Sequence, residues 1–417
     1  MSHLLSGLRV IDCGTYIAGP AAAVILSDFG AEVIKVERPP AGDPYRLLSG
    51  LPGMPVSPID YCWVLDSRNK KSIALDLGDS TGREALMKLV AAADVFITNY
   101  QPQLVRKFRL TFEELSALNP RLIYAQVTGY GENGPEAEKP GYDTTAYWAR
   151  SGLMGLLHNG DAEPTRSPAG FGDHPTSVAL FGAIMLGLYQ RDRTGAGCKV
   201  STSLMANGAW SNGCQIQAAL CNAETPARIT RKATNNPLVN HYLSRDGERF
   251  MLCCLDSAKD WARLCAAIGM PELTGDPRFD TPEKRSANGK ELVELFDREF
   301  GAKDMAEWKR RFAEQEVVWG PVPSFVQVAK DEQMQLNGVF AEMEDAPGGP
   351  LRTVSNPITV EGSPKVAPRM APGVGEHSVE ILRGLGYSED AIAAMVKRGV
   401  TMARPADTVG AERECPV

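Results

Sequence analysis

The first forty residues alternate in a way that leaves few folds open. LRVID (8–12) is a short apolar run, GPAAAVILSDFG (19–30) a small-residue helix stopped by Gly30, and AEVIKVE (31–37) a second apolar run. Two strands joined through a helix by short loops predict parallel pairing, and so an α/β sheet. KSIALDL (71–77), DVFITNY (94–100) and RLIYAQVTGYG (121–131) read as further strands, with GREALMKLVAAA and FEELSAL as helices between them. In such folds the polar ends of the strands are where ligands are kept.

Further along, residues 176–193 predict a helix with Val178, Phe181, Ile184 or Met185, and Leu188 on one face, stopped by TGAG (194–197). CKVSTSLM reads as a strand and 205–221 as a helical stretch. The texture changes near 225. HYLSRDGERFMLCCLD predicts a hairpin turning at Asp246–Gly247, and KDWARLCAAIG, GKELVELFDREFG and MAEWKRRFAEQ predict helices of a small α/β domain over 226–335, after a large domain over 1–225. Residues 345–375, rich in Pro and Gly, read as an extended linker leading to a terminal helix from VEILRGLGYS onward.

Composition bounds the function. Hydrophobic residues make up 43% and charged residues 23% of 417, ordinary for a globular chain, and the net charge of -7 argues against a nucleic-acid partner. The apolar runs stay short of membrane-spanning length, and MSHLLSGLRVIDCG lacks the marks of a secretory leader, so a cytoplasmic protein is expected. Nine cysteines without a CxxC spacing suggest neither a disulfide framework nor a zinc site, and the histidines show no metal-ligand spacing.

The opening strand–helix–strand invites a dinucleotide reading, with Glu37 as ribose ligand, but Gly14 and Gly19 are four residues apart and no GxGxxG occurs. A nucleotide-containing ligand near Arg38 stays open, although spacing alone favours a solvated cation there. No serine sits in a GxSxG elbow. GFGDHPTSVALFG (170–182) is the richest segment. Asp173 reads as a helix N-cap accepting the amide of residue 176, worth about 1 kcal/mol. It also reads as a nucleophile, since Gly170 and Gly172 allow a bulky ligand to approach and an ionised carboxylate attacks an acyl carbonyl without a general base. On local grounds the cap is favoured.

GLRVID…GP…GAEVIKVERP, NKKSIALDL, ITNYQP, YAQVTGYGENGP, PGYD, GDHPT and YQRDRTGAGCKVSTSL follow one another in order. Together they resemble the class III CoA-transferase family, the CaiB/BaiF group that includes formyl-CoA transferase and the acyl-CoA racemases. The resemblance implies a Rossmann-like large domain built from both ends of the chain, so that 336–417 return to it, and a smaller α/β domain. It also implies an interlocked dimer, or a heteromer with a homologous subunit. It places Asp173 as the nucleophile and Tyr16, Ile17, Tyr142, Asp143 and Gly172 around the substrate. Arg38, Leu75, Asp76, Asn99, Tyr100, Arg106, Lys107 and Lys139 are implied as CoA contacts.

The implied chemistry is covalent. Asp173 attacks the donor thioester, giving a mixed anhydride and CoA thiolate; the thiolate attacks the aspartyl carbonyl, releasing the donor acid and leaving an aspartyl-CoA thioester. An acceptor carboxylate then reverses these steps. CoA thioesters are the substrates, with no permanently bound cofactor or metal, and water must be kept out. Ile17 stands where formyl-CoA transferase has a glutamine, and a run of consecutive glycines is missing near 235–265, both pointing away from formyl-CoA. Tyr142 stands where the racemases have histidine. A transferase with succinyl-CoA as candidate donor is therefore expected. The alternatives are a 2-methylacyl-CoA racemase and a CoA-binding subunit. Arg46, Arg150 and Arg166 are candidates for a second carboxylate of a dicarboxylic substrate.

Overall fold

The computed structural model describes residues 3–160, 162–224, 229–256, 258–346 and 349–403. The described residues form two compact units: Met1–Met154, Arg166–Gln217 and Gly338–Val417 contribute to the first, Gly155–Thr165 and Ala218–Asn337 to the second. The division expected at 225/226 falls among residues 225–228, outside the described ones, and residues 155–165, expected in the large domain, cluster with the second unit.

The first unit is built on six strands: β1 (Arg9–Asp12), β2 (Glu32–Glu37), β3 (Lys71–Ala74), β4 (Val95–Thr98), β5 (Ile123–Thr128) and β6 (Cys198–Ser203). All pair in parallel in the order β3-β2-β1-β4-β5-β6. This is a doubly wound, Rossmann-like α/β sheet whose strand order reverses between β1 and β4. Helices α1 (Ala18–Asp28), α2 (Tyr61–Ser67), α3 (Ser80–Ala91), α4 (Pro102–Phe108) and α5 (Phe112–Leu118) lie between the strands along the chain. One core packs β-strand residues Ile11, Ile73 and Phe96 with Leu86 and Val90 of α3 and with Leu382 and Met395 near the end of the chain. The other packs Val10, Val95 and Ile123 with α1 and with the long helix Asp173–Thr194. β1 and β4 are central and bury both faces, which is why their sequences are runs rather than alternations.

The long helix does not bury the stripe expected from its apolar residues. Thr176, Ser177, Leu180, Ile184, Gly187, Leu188 and Arg191 are inside, while Val178, Phe181 and Met185 are only partly covered. The two hydroxyls tolerate burial because they donate to the carbonyls of Gly172 and His174, each at 2.7 Å. Gly187 lets the helix lie close on β5 and β6, since a Cβ there would stand 3.0 Å from Ile123 and 3.2 Å from Val200. The stretch expected as one helix over 205–221 is two, Leu204–Ser211 and Gly213–Leu220, and the end of the described chain carries two helices, Ser378–Gly384 and Glu389–Lys397.

Residues 345–375 are no free linker. The described part of this strap donates from Val366 N to the Asp28 carbonyl at 2.7 Å, from Asn356 Nδ2 to Asp28 Oδ2 at 2.8 Å, and from Arg369 N to Asn69 Oδ1 at 2.7 Å. Arg352–Val354 of this strap pairs antiparallel with Phe340–Glu342, and the rest of its described extended chain, with no ladder, finds partners for its polar groups on Asp28 and Asn69.

The second unit holds an antiparallel sheet of β7 (Val239–Leu243), β8 (Arg249–Cys253) and β9 (Trp319–Pro321). The β7–β8 hairpin turns through Asp246–Gly247, with Gly247 at φ 80° and Ser244 N bonded to the Glu248 carbonyl. Helices Lys259–Ile268, Gly289–Phe300 and Met305–Glu314 share with it an aromatic core around Phe250, Phe300, Trp308 and Phe312.

Candidate active site

Two cavities open at the C-terminal ends of the strands, on either side of the point where the strand order reverses. The first is lined by Thr15–Ala18 after β1, Asn99–Pro102 after β4, Val127–Gly129 at the end of β5, Lys139–Tyr142, and Asp173. The second is lined by Gly14 and Thr15, by Arg38 and Gly42–Pro44 after β2, by Leu75–Gly78 after β3, and by Tyr100 and Lys107. Thr15, Tyr100 and Leu104 border both. One elongated ligand crossing the switch point would therefore touch both.

The loop between β1 and α1 is clamped at nearly every backbone group. Gly14 N donates to Asp12 Oδ1 at 3.1 Å, and the Gly14 carbonyl takes the Lys35 ammonium. Asn99, across the switch point, accepts from Thr15 N at 2.8 Å and donates to the Thr15 carbonyl at 2.7 Å. Tyr16 N donates to Asp43 Oδ1 at 3.0 Å, and Asp43 Oδ2 pairs with Lys35 at 2.8 Å. Lys35, Lys70, Asp12 and Asp43 are all buried. Burial alone would discharge Lys35, but Asp12 and Asp43 outweigh it and hold its ammonium charged, pushing its pKa up. Lys70 binds Asp12 Oδ2 and the carbonyls of Pro20 and Asp66, each at 2.8 Å. Tyr16 is thereby kept in the left-handed region at φ 60°, uncommon for a bulky side chain. Its ring meets Tyr142 edge-on at 5.7 Å.

Asp173 is not an N-cap. It is the first residue of its helix; Gly172 holds the cap position, and Thr176 N bonds the Gly172 carbonyl at 3.2 Å instead of a side chain. No hydrogen bond to the Asp173 carboxylate is found among the described residues. Burial, then the charges of Asp143 and Asp66, push its pKa up to about 7, while His174 pulls the other way. Gly172 gives room to the protein rather than to a ligand: a Cβ there would lie 2.5 Å from the Tyr147 ring. Gly170, at φ 79°, similarly faces the His174 ring at 3.0 Å.

Of the residues singled out in sequence, Tyr16, Ile17, Asn99, Tyr100, Lys139, Tyr142 and Asp173 line the first cavity; Arg38, Leu75, Asp76, Tyr100 and Lys107 line the second. Arg38 and Lys107 have no carboxylate partner among the described residues. Asn99 spends its amide on Thr15. Arg106 lines neither cavity and pairs with Glu138 at 2.6 Å, while Lys139 pairs with Glu136 at 2.9 Å. Asp143 is buried beneath Tyr142, at the start of a π-helical segment, with Oδ2 unbonded among the described residues. Glu37 is enclosed by Arg46, Ser72 and Asp43 N, which excludes the ribose role.

Arg46 is no substrate arginine either. It grips Glu37 through Nε at 2.8 Å and Nη2 at 2.7 Å, donates to the Pro372 carbonyl, and stacks 3.6 Å over Trp63. Arg150 pairs with Glu136, and neither it nor Arg166 lines the cavity. Residues the sequence did not mark, Asp43, Asp66, Lys35 and Lys70, form the frame. Their one signal was polarity inside otherwise apolar runs, such as Lys35 in EVIKVE.

A doubly wound fold with cavities at its switch point, one of them lined by a carboxylate that takes no hydrogen bond among the described residues, is the setting of an α/β enzyme that binds its ligand at the strand ends. The profile of CoA-transferase family III matches residues 5–378, and the chain belongs to that family. It is 32% identical over 406 residues, 97% of this chain and 98% of the other, to cinnamoyl-CoA:phenyllactate CoA-transferase of Clostridium sporogenes. It is 32% identical to succinyl-CoA:glutarate CoA-transferase of Mus musculus, covering 95% of this chain and 90% of that one. A crystal structure of a CaiB/BaiF family protein from Brucella suis superposes with a TM-score of 0.80 at 30% identity, covering 92% of this chain and all of that one. The protein is a CoA-transferase, and CoA thioesters are its substrates.

Proposed function

We propose that this enzyme moves CoA from an acyl-CoA to a free carboxylic acid through a covalent intermediate on Asp173. The observation that carries the reading is a carboxylate that takes no hydrogen bond among the described residues, at the start of a long helix, lining a cavity that shares Thr15, Tyr100 and Leu104 with a second one where Arg38 and Lys107 have no carboxylate partner among the described residues. In this reading Arg38 and Lys107 meet the CoA phosphates in the second cavity, where fixed cations suit anions. The pantetheine arm passes Thr15, Tyr100 and Leu104, and the thioester reaches Asp173.

Attack by an Asp173 oxygen on the thioester carbonyl forms a C–O bond and expels CoA thiolate. The thiolate then attacks the aspartyl carbonyl, and the donor leaves as its carboxylate. The acceptor carboxylate attacks the aspartyl-CoA in turn, and thiolate returns to the new mixed anhydride to release Asp173. No net proton is consumed. Tyr16 and Tyr142 flank the reacting end and help to exclude water, which would hydrolyse either intermediate.

The resemblance names succinyl-CoA as candidate donor. The lining supports an apolar or aromatic acyl group more directly, since Tyr16, Ile17 and Tyr142 surround the site and Lys139, the cation there among the described residues, is already paired. Among the relatives at 32% identity, the one acting on cinnamoyl-CoA and phenyllactate supports the aromatic donor and the one acting on succinyl-CoA and glutarate supports the dicarboxylic one. A screen of succinyl-, acetyl- and cinnamoyl-CoA against free acids, read by mass spectrometry of new thioesters, separates these donors. Asp173→Ala is expected to abolish exchange, and hydroxylamine with acyl-CoA to convert Asp173 to a hydroxamate in the unsubstituted enzyme. Full exchange by Asp173→Ala overturns the mechanism. The interlocked dimer is proposed with it, and light scattering on the purified chain tests that.

A further inference from the structure

The neighbour of the proposed nucleophile does not share its cavity. His174 borders a different, largely apolar hollow, lined also by Asp66, Arg68, Pro175 and Val178. Its ring is held at both nitrogens: Nε2 lies 3.1 Å from Asp66 Oδ1 and Nδ1 lies 3.1 Å from the Gly170 carbonyl oxygen. A peptide carbonyl can only accept, and so can an ionised carboxylate. A neutral imidazole has one N–H and would turn the lone pair of its other nitrogen toward an acceptor oxygen. Both contacts are satisfied together by the imidazolium, which donates twice.

The arrangement around the ring is fixed from behind. Tyr45, buried, donates its hydroxyl to Asp66 Oδ2 at 2.6 Å, so both Asp66 oxygens are engaged. Arg68, the other cation of that hollow, grips Asp28 through Nε and Nη2 and is committed there. The charged groups that act on His174 are thus Asp66, in contact with it, and Asp173, the residue before it. Burial opposes charge on the ring, but the Asp66 hydrogen bond and the two carboxylates outweigh it and move its pKa up. The charged groups acting on Asp173 are Asp143 and Asp66, which disfavour its ionised form, and His174, which favours it.

We propose that His174, held as an imidazolium between Asp66 and the Gly170 carbonyl, is a positioning residue that favours the ionised form of the Asp173 carboxylate for attack. This rests on the reading of Asp173 as nucleophile. His174 touches no substrate in this role; it acts through the charge of its neighbour. An opposite charge within about 4–6 Å lowers a carboxylate's pKa by about one pH unit or more, and His174, the residue next to Asp173, pulls its pKa down. Removing it would leave Asp173 facing two carboxylates with no compensating cation among those groups.

The test measures kcat/KM from pH 5.5 to 9 for the unsubstituted enzyme, His174→Gln and Asp66→Asn, with nitrogen NMR of the histidine-labelled enzyme at pH 7. The expected NMR signature is a His174 ring protonated on both nitrogens. The acid limb of kcat/KM is expected to move up by about one pH unit in His174→Gln and by less in Asp66→Asn. A merely structural role would lower rates without moving the limb. An unmoved limb in His174→Gln, or a neutral His174 ring at pH 7, overturns the proposal; if His174→Gln does not fold, the NMR result alone decides. Acyl labelling of Asp173 at pH 9 in the unsubstituted enzyme is the control. Its absence sinks the nucleophile reading, whereas labelling with an unmoved limb sinks this one.

Discussion

Asp43 holds Tyr16 by its backbone rather than by its side chain: Oδ1 accepts the Tyr16 amide at 3.0 Å while Oδ2 pairs with the buried Lys35. Because the partner is a main-chain donor, the contact sets the course of the loop and leaves the Tyr16 ring free to face Tyr142 and the cavity. A backbone at φ 60° costs a residue like tyrosine on the order of 1 kcal/mol and persists where surrounding bonds over-determine it.

Asp43→Asn keeps an acceptor for Tyr16 but removes the charge opposite Lys35. Breaking a buried ion pair from one side leaves an ammonium short of compensation, so a loss of about 2–4 kcal/mol is expected in urea unfolding. The double substitution Asp43→Asn with Lys35→Met should recover a large part of that loss. An unchanged unfolding midpoint in the single variant would show that the pair contributes nothing.

Tyr16→Gly relieves the backbone and removes the ring, whereas Tyr16→Phe keeps the strain and the edge contact. The glycine variant is expected to unfold within about 1 kcal/mol of the unsubstituted protein. Its acyl-CoA hydrolysis should rise relative to transfer, because water gains access to the intermediate. Tyr16→Phe should keep the transfer-to-hydrolysis ratio within about threefold if the hydroxyl itself has no role in excluding water. Equal ratios in all three proteins would remove Tyr16 from that role.

Ionisation of Asp173 links activity and stability in opposite senses. Its pKa is about 7 when folded and about 3.9 in an unfolded chain. The folded state therefore binds more protons between these values, and stability falls as pH rises through that window, with the full cost present above pH 7. Asp173→Asn should match the unsubstituted protein near pH 4 and exceed it by about 1–3 kcal/mol above pH 7, the range allowing for partial exposure. Transfer by the unsubstituted enzyme should rise from pH 6 to 8 as the nucleophile ionises. Calorimetry and rate profiles check the two arms separately.

Gly172→Ala drives a methyl into the Tyr147 ring, whose hydroxyl shares a hydrogen bond with Ser211 at 2.7 Å. An overpacking cost of about 1–3 kcal/mol is expected. Because the next residue is Asp173, kcat should drop more than tenfold at unchanged fold content by circular dichroism. A variant as active as the parent would show that Asp173 tolerates movement of its helix start.

Local sequence determined the parallel sheet and most of its elements. Apolar runs, small-residue helices and glycine stops act over a few residues, and β1, α1 and β2 lie within two residues of their expected bounds. It also marked Asp173, through an ordered series of motifs rather than through local chemistry, which pointed to a cap. The cap failed because Thr176 N found a main-chain acceptor, an outcome that depends on the course of the backbone before the helix. The strap over 345–375 read as a linker because the acceptors that hold it, on Asp28 and Asn69, are hundreds of residues away. Only the tertiary structure decided that Lys35 and Asp43 brace Tyr16, that Arg46 is spent on Glu37, and that Asp66 reaches His174 across 108 positions. The physical reason is range. Hydrophobic periodicity is written along the chain, but the partner of a buried charge is chosen in space by desolvation, and a sequence shows which residues carry charge without showing which of them must meet.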